Sequence, residues 1–276
     1  MKLYLNFERV LTTAETDALR ELIKRRGQRE PLQDITGSTS FCGFEIAVTG
    51  QALVPRPETE LLAELGWEWL GKHPTSNIQH PTSNFQNAAP TALDFGTGTG
   101  CIAIALAAKC PNVKVVATDI STDALALAKQ NAAQNNVAER IEFLQGDGFE
   151  ALQLVGQASC LSSSATKATG WKPVPLYDLI ISSPPYIPSA EIAALDPEVR
   201  DFDPRLALDG GADGLDFYRK LATEAKSFLK LDGKIMVEFG DGQADRIKKI
   251  FENEKWIVEA VKEDYSQRAR ILIARR

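Results

Sequence analysis

Seven residues, Asp94-Phe95-Gly96-Thr97-Gly98-Thr99-Gly100, join a run of β-formers to a helix-forming stretch. Alternating glycines let the backbone turn tightly and approach a ligand, and the helix start offers free N–H groups. An anionic pyrophosphate is poorly served by the carboxylate at the head of this turn. A ligand with an ammonium group is well served. Two further acids end the next strands. Asp119, in Thr118-Asp119, can accept from both ribose hydroxyls, and Asp147, in Gly146-Asp147-Gly148, can accept from an adenine amino group. Three carboxylates at successive strand ends suit a nucleoside without phosphates. S-adenosylmethionine is such a molecule, and NAD is the alternative. Taken alone, the glycine-rich stretch is also an ordinary strand-to-helix turn.

A second stretch, LIISSPPYIP (179–188), stops a strand hard and tips it with Ser183-Pro184-Pro185-Tyr186. The prolines carry no N–H, which leaves local carbonyls pointing outward unpaired. An amide or ring amino nitrogen is a poor nucleophile because its lone pair is delocalised. The Ser183 side chain and the Pro184 carbonyl can hold its two hydrogens and turn the lone pair toward a sulfonium methyl group. Tyr186 offers a flat face for the π-system. The methyl then passes in line to nitrogen without a metal or a covalent intermediate. Imidazole takes no part, since the only histidines, His73 and His80, belong to a tandem HPTSNIQ–HPTSNFQ repeat with linker composition. No Ser/His or Cys/His nucleophile and no His-rich metal site can be built.

These residues need strand tips to carry them, and the pattern supplies them. TALDF (91–95), VKVVATD (113–119), RIEFLQGD (140–147), YDLIISS (177–183) and GKIMVEFG (233–240) read as strands. Helical stretches alternate with them at 100–109, 122–135, 216–230 and 242–253. Alternation of this kind gives a doubly wound, mostly parallel sheet. The closing pair, WIVEAVKED and RILIAR, has too short a connection for a parallel crossover and must be antiparallel. Upstream, 12–30 and 58–70 read as helices, and 41–54 as a β-hairpin turning at Thr49-Gly50. Low-complexity inserts at 72–90 and 156–172 enter just before strands, so they should emerge at the rim opposite the ligand.

The totals fit a globular chain of 276 residues, 44% hydrophobic and 25% charged, with formal charge −6. That charge disfavours stable nucleic-acid binding. No apolar run reaches membrane-spanning length, and the first residues lack a signal peptide's apolar block. The cysteines, Cys42, Cys101, Cys110 and Cys160, form no CxxC pair. A cytoplasmic monomer is expected.

Several stretches resemble the HemK/PrmC-type protein-(glutamine-N5) methyltransferases. Beside the SPPY tip, which is similar to the (N/D/S)PPY motif of amino-group methyltransferases, these are PLQDITG (31–37), VPRPETELL (54–62), DFGTGTGCIAIALA (94–107), VRDFDPRLALDGGADGLDFYR (199–219), EFGDGQ (238–243) and DYSQRAR (264–270). The resemblance implies a class I S-adenosylmethionine-dependent fold, with a Rossmann-like seven-stranded sheet whose last strand is antiparallel. A short helical segment and a β-hairpin precede it. It implies methylation of the glutamine in the GGQ motif of class I peptide chain release factors. Donor contacts are implied at Gly96, Thr97, Gly98, Thr99, Gly100 and Asp119, beside Asp94, Asp147, Gly148 and Ser183. Ser183, Pro184, Pro185 and Tyr186 would hold the glutamine, and Arg56 and Glu58 would help close the pocket. The implied division is a shortened helical substrate-docking segment (1–40), the hairpin and a linking helix (41–71), the first insert, and a catalytic domain (91–276) holding the second.

This chain departs from the family pattern at three places. Ser183 stands where the family has Asn, Gly148 where it has an aromatic residue, and the segment before PLQDITG is about half the family's length. Two alternatives follow: a catalytically impaired donor-binding homologue, or a DNA or RNA amino-methyltransferase using SPPY.

Overall fold

A computed structural model describes residues 8–72, 89–152 and 176–276. Apart from residues 72, 89 and 90, both expected inserts, with His73, His80 and Cys160, lie outside these residues. Helix α1 (Thr13–Gly27) is opened by a reciprocal cap in which Thr12 accepts from the Glu15 amide and Glu15 returns the bond. None of its residues is buried. A short helix, α2 (Leu32–Thr36), ends on Gly37 in a left-handed conformation. Strands β1 (Ser38–Phe41) and β2 (Phe44–Ala47) follow as an antiparallel hairpin. Its turn is Cys42-Gly43, not Thr49-Gly50. Both turn residues have positive φ, 51° and 84°, which matches the twist of a two-residue hairpin. Helix α3 (Pro57–Lys72) then packs Leu62, Ala63 and Leu70 onto the main sheet.

That sheet is built from β3 (Thr91–Phe95), β4 (Lys114–Asp119), β5 (Ile141–Gln145), β6 (Tyr177–Ser182), β7 (Leu229–Glu238), β8 (Ile257–Glu263) and β9 (Ala269–Arg275). Their order is β5-β4-β3-β6-β7-β9-β8, with only β9 running against its neighbours. The chain begins at β3, steps outward to β5 and returns to β6. The carboxyl ends of β3 and β6 therefore lie side by side at the point where the winding reverses, the usual place for a ligand.

Helices α4 (Cys101–Lys109) and α5 (Thr122–Gln134) join α3 on one face, and α8 (Asp216–Glu224) and α9 (Ala244–Asn253) cover the other. Alternate residues of β6 divide between the two cores, Leu179 and Ile181 on the α3 side and Ile180 on the α8 side. Two one-turn helices, α6 (Pro197–Arg200) and α7 (Arg205–Leu208), interrupt the long connection after the SPPY tip. Periodicity was too short to foretell either. β7 also starts four residues before the expected 233, and the helix expected over 216–230 ends at Glu224.

Candidate active site

The turn after β3 is fixed from below. The Gly96 and Thr97 amides both donate to the Thr118 carbonyl at 2.9 Å, tying the turn to the end of β4. Asp119 accepts from the Gly98 amide at 2.8 Å and from the Ser121 amide at 2.9 Å. Each of its oxygens keeps a lone pair for a ligand. Asp94, expected to meet the ligand's ammonium group, lies instead beneath the turn and is wholly buried. Strand alternation sends its side chain under α4, where Oδ2 accepts from the Thr97 hydroxyl (2.6 Å) and the Ala103 amide (3.1 Å). Oδ1 has no partner among the described residues. Burial pushes the carboxyl up to about 7 against the pull of those two hydrogen bonds.

Above the turn opens a cavity of ≈ 470 Å³. Of the expected residues, Gly96, Gly98, Asp119, Asp147, Gly148, Ser183 and Pro185 line it. Thr97, Thr99, Gly100, Pro184 and Tyr186 stand behind that lining, as do Asp94, Arg56 and Glu58. Residues not foreseen add to the wall: Gln51 to Leu53 after the hairpin, Ile120 beyond β4, Pro204, Leu206 and Ala207 around α7, and Asp216, Phe217 and Lys220 on α8. The charged lining is three acids, Asp119, Asp147 and Asp216, and one base, Lys220. Lys220 Nζ is 2.7 Å from Asp147 Oδ1, so the acid expected to read an adenine amino group is already ion-paired. A carboxylate can accept from both.

Gly148 has φ 62°, and a Cβ built there would stand 2.5 Å from Phe95 Cε2. The ring of Phe95 thus fills the place a side chain at 148 would take. Around Gly96, by contrast, nothing lies within 4 Å of where a Cβ would be, which leaves the turn open to a close-lying ligand.

At the other end, the Ser182 hydroxyl donates to the Phe95 carbonyl (2.7 Å), stitching β6 to β3 at the rim. Among the described residues no hydrogen bond ends on the Pro184 carbonyl. Gln243 clamps the tip. Its Nε2 donates to the Tyr186 carbonyl (2.8 Å) and its Oε1 accepts from the Gly240 amide (3.0 Å). The Tyr186 ring lies so near Gly240 that a Cβ there would be 2.9 Å from its Cδ2. Beside the tip is Glu238, only 3% exposed, whose carboxyl group is met by the hydroxyls of Thr59 and Ser183. Burial holds it above the usual glutamate range, against those two hydrogen bonds.

Arg56 pairs with Asp203 at 2.6 Å, and burial raises the Asp203 carboxyl despite that pairing. Arg56 and Glu58 both act electrostatically on Tyr186, whose phenol burial pushes upward. They are thus gathered around the tip without reaching the cavity wall. Glu238 and Gln243 were missed as site residues. Both belong to EFGDGQ, which was the available signal.

A methyltransferase domain family model matches residues 86–272, and a PrmC N-terminal domain model matches residues 1–37. The chain is 41% identical over 249 residues to a release factor glutamine methyltransferase of Geobacter sulfurreducens, covering 90% of this chain and 74% of that one. It is 39% identical over 269 residues to one from Rhodospirillum rubrum, covering 98% and 72%. Among solved structures, a methyltransferase from Pyrococcus furiosus aligns with TM-score 0.54 and 18% identity over 91% of this chain and 98% of that one, a likeness of fold.

Proposed function

The chain belongs to the release factor glutamine methyltransferase family, and we propose that it carries a methyl group from S-adenosylmethionine to the side-chain amide nitrogen (N5) of the glutamine in the GGQ motif of class I peptide chain release factors. The observation that carries this reading is one cavity running from the glycine turn at Gly96 to the strand tip at Ser183 and Pro185. Its three acids against one base suit a donor without phosphates and speak against NAD. S-adenosylmethionine, when bound, supplies an electrophilic methyl on a sulfonium sulfur.

The chain's own residues then do the rest. Gly96 and Gly98 let the donor lie against the backbone, and Thr97, Thr99 and Gly100 shape the turn from behind, over Asp94. Asp119 accepts from the ribose, and Asp147 with Gly148 meets the adenine. Ser183 Oγ and the Pro184 carbonyl take the two amide hydrogens, while Pro185 and Tyr186 hold the carboxamide flat. Arg56 and Glu58 steady that end. Rate comes from placement and from acceptors fixed before reaction. Residues 1–40 serve as the release-factor docking segment. No helix among the described residues is long and apolar enough to cross a membrane. We read the enzyme as a cytoplasmic monomer that forms no stable nucleic-acid complex.

The test is transfer of labelled methyl to a class I release factor, with a GGQ-to-GGA release factor, single-stranded DNA and RNA as comparisons. Label on the intact GGQ protein alone is expected. Ser183→Ala should lower the single-turnover rate by about 10²–10³, the usual cost of one transition-state hydrogen bond, at unchanged donor affinity. Label on nucleic acid, or donor binding with no transfer, overturns the reading.

A further inference from the structure

Methylation leaves a proton to be removed. The glutamine nitrogen gains a new N–C bond as the donor's C–S bond breaks and its electron pair stays on sulfur, so nitrogen must then give up one of its two hydrogens as H⁺. The structure offers a route. Ser182 of β6 is in register with Val237 of β7, so Ser183 and Glu238 are neighbours across adjacent parallel strands. Both lie on the α3 side of the sheet. The hydroxyls of Ser183 and of Thr59 on α3 both act on the Glu238 carboxyl group, and each favours its charged form. A hydroxyl that has given its proton inward presents only lone pairs to the cavity. Glu238 Oε2 is buried without a partner among the described residues, which is a costly state for a carboxylate oxygen unless it has a use.

We propose that Ser183 and Glu238 form a proton relay, in which Ser183 Oγ takes the proton from the methylated nitrogen while its own hydrogen passes to Glu238. The inference rests on the glutamine-transfer reading above. One N–H bond breaks and one O–H bond forms at Ser183, while the original Ser183 O–H bond breaks and one O–H bond forms on Glu238. Charge balances, because the cationic nitrogen and the carboxylate both become neutral. Glu238 touches no substrate and acts through Ser183. The charged and titratable groups facing it are Glu58 from α3, Tyr186 beyond β6, Tyr218 from α8, whose hydroxyl donates to the Glu238 carbonyl at 2.8 Å, and Arg270 from β9. Glu58 and burial favour the protonated form and Arg270 opposes it, so the carboxylate is left a better base than an exposed glutamate.

The experiment is the pH dependence of single-turnover methylation of an intact release factor by the full chain, with donor affinity measured alongside. Wild type should show an acid limb, with the rate falling as pH drops through the Glu238 titration. Glu238→Gln keeps the shape and still accepts the serine hydrogen, so Ser183 stays oriented. It should lose the acid limb and about 10²–10⁴ in rate, with donor affinity within twofold. Glu238→Asp should keep the limb and recover part of the rate. Should Glu238→Gln not fold, Ser183→Ala gives the same readout, because cutting the relay removes the acid limb as well as slowing transfer. A wild-type acid limb that persists in Glu238→Gln, or in Ser183→Ala, overturns the relay and leaves the transfer reading standing. A wild type that methylates nothing overturns the transfer reading itself.

Discussion

Phe95 and Gly148 occupy one volume between them. The ring of Phe95 lies tilted against Phe149, centroids 5.1 Å apart, and fills the space in front of residue 148. Strand β3 thus supplies the aromatic surface that the family pattern places on the loop after β5. Gly148→Trp alone should unsettle this end of the cavity, since an aromatic side chain there meets the Phe95 ring at a left-handed φ. Adding Phe95→Leu should restore most of the donor affinity, with a coupling between the two changes on the order of 1–3 kcal/mol in a double-mutant cycle. Independent, additive losses would show that the two side chains do not share a site. At this scale the sequence disclosed the groups that form motifs on their own. SPPY, the glycine turn and Asp119 announce their chemistry within a few residues. Glu238, Gln243, Phe95 and Lys220 do not. Each reaches the cavity or its rim only through a neighbour distant in the chain, set by sheet register or by the packing of α8 against the loop after β5.

Elements were legible wherever the period ran long enough to repeat. All seven strands of the sheet and its principal helices fall where alternation put them, with edges moved by a few residues. The exceptions are short or governed by turn chemistry. Cys42-Gly43 makes a tighter hairpin than Thr49-Gly50, and α2, α6 and α7 are one turn or little more. Helix α1 buries no residue. Its carboxyl end is tied to α6 by Arg26 and Arg29, which meet Glu198 at 3.1 and 2.5 Å. Partly exposed pairs of this kind contribute little to global stability. Glu198→Ala should therefore cut hydrogen-exchange protection across 13–27 while leaving the sheet's protection and the global melting temperature nearly unchanged. A large drop in melting temperature would mean that α1 is welded to the core in a way these contacts do not account for.

Across the whole molecule, strand order decides where chemistry can happen, because the reversal between β3 and β6 is what brings the glycine turn beside the SPPY tip. Alternation of strands and helices plus one short final connection pointed to a mostly parallel sheet with an antiparallel closing strand, while the order itself is seen only in the structure. The same holds for the shape of the cavity, since Gln51, Ala52 and Leu53 at the hairpin exit and Pro204, Leu206 and Ala207 in the long connection after the tip also line it. A donor held by so many separate segments must stabilise all of them together. At a concentration 100 times its dissociation constant, a ligand that binds only the folded state adds about 2.7 kcal/mol. For a chain of this size that corresponds to a rise of roughly 5–10 °C in melting temperature. S-adenosylmethionine should give such a shift and NAD none at the same concentration. Asp119→Ala should abolish it, because the same carboxylate fixes the Gly98 amide and faces the cavity. A shift with NAD, or one that survives Asp119→Ala, would mean that the crevice at the β3–β6 reversal holds something other than the proposed methyl donor.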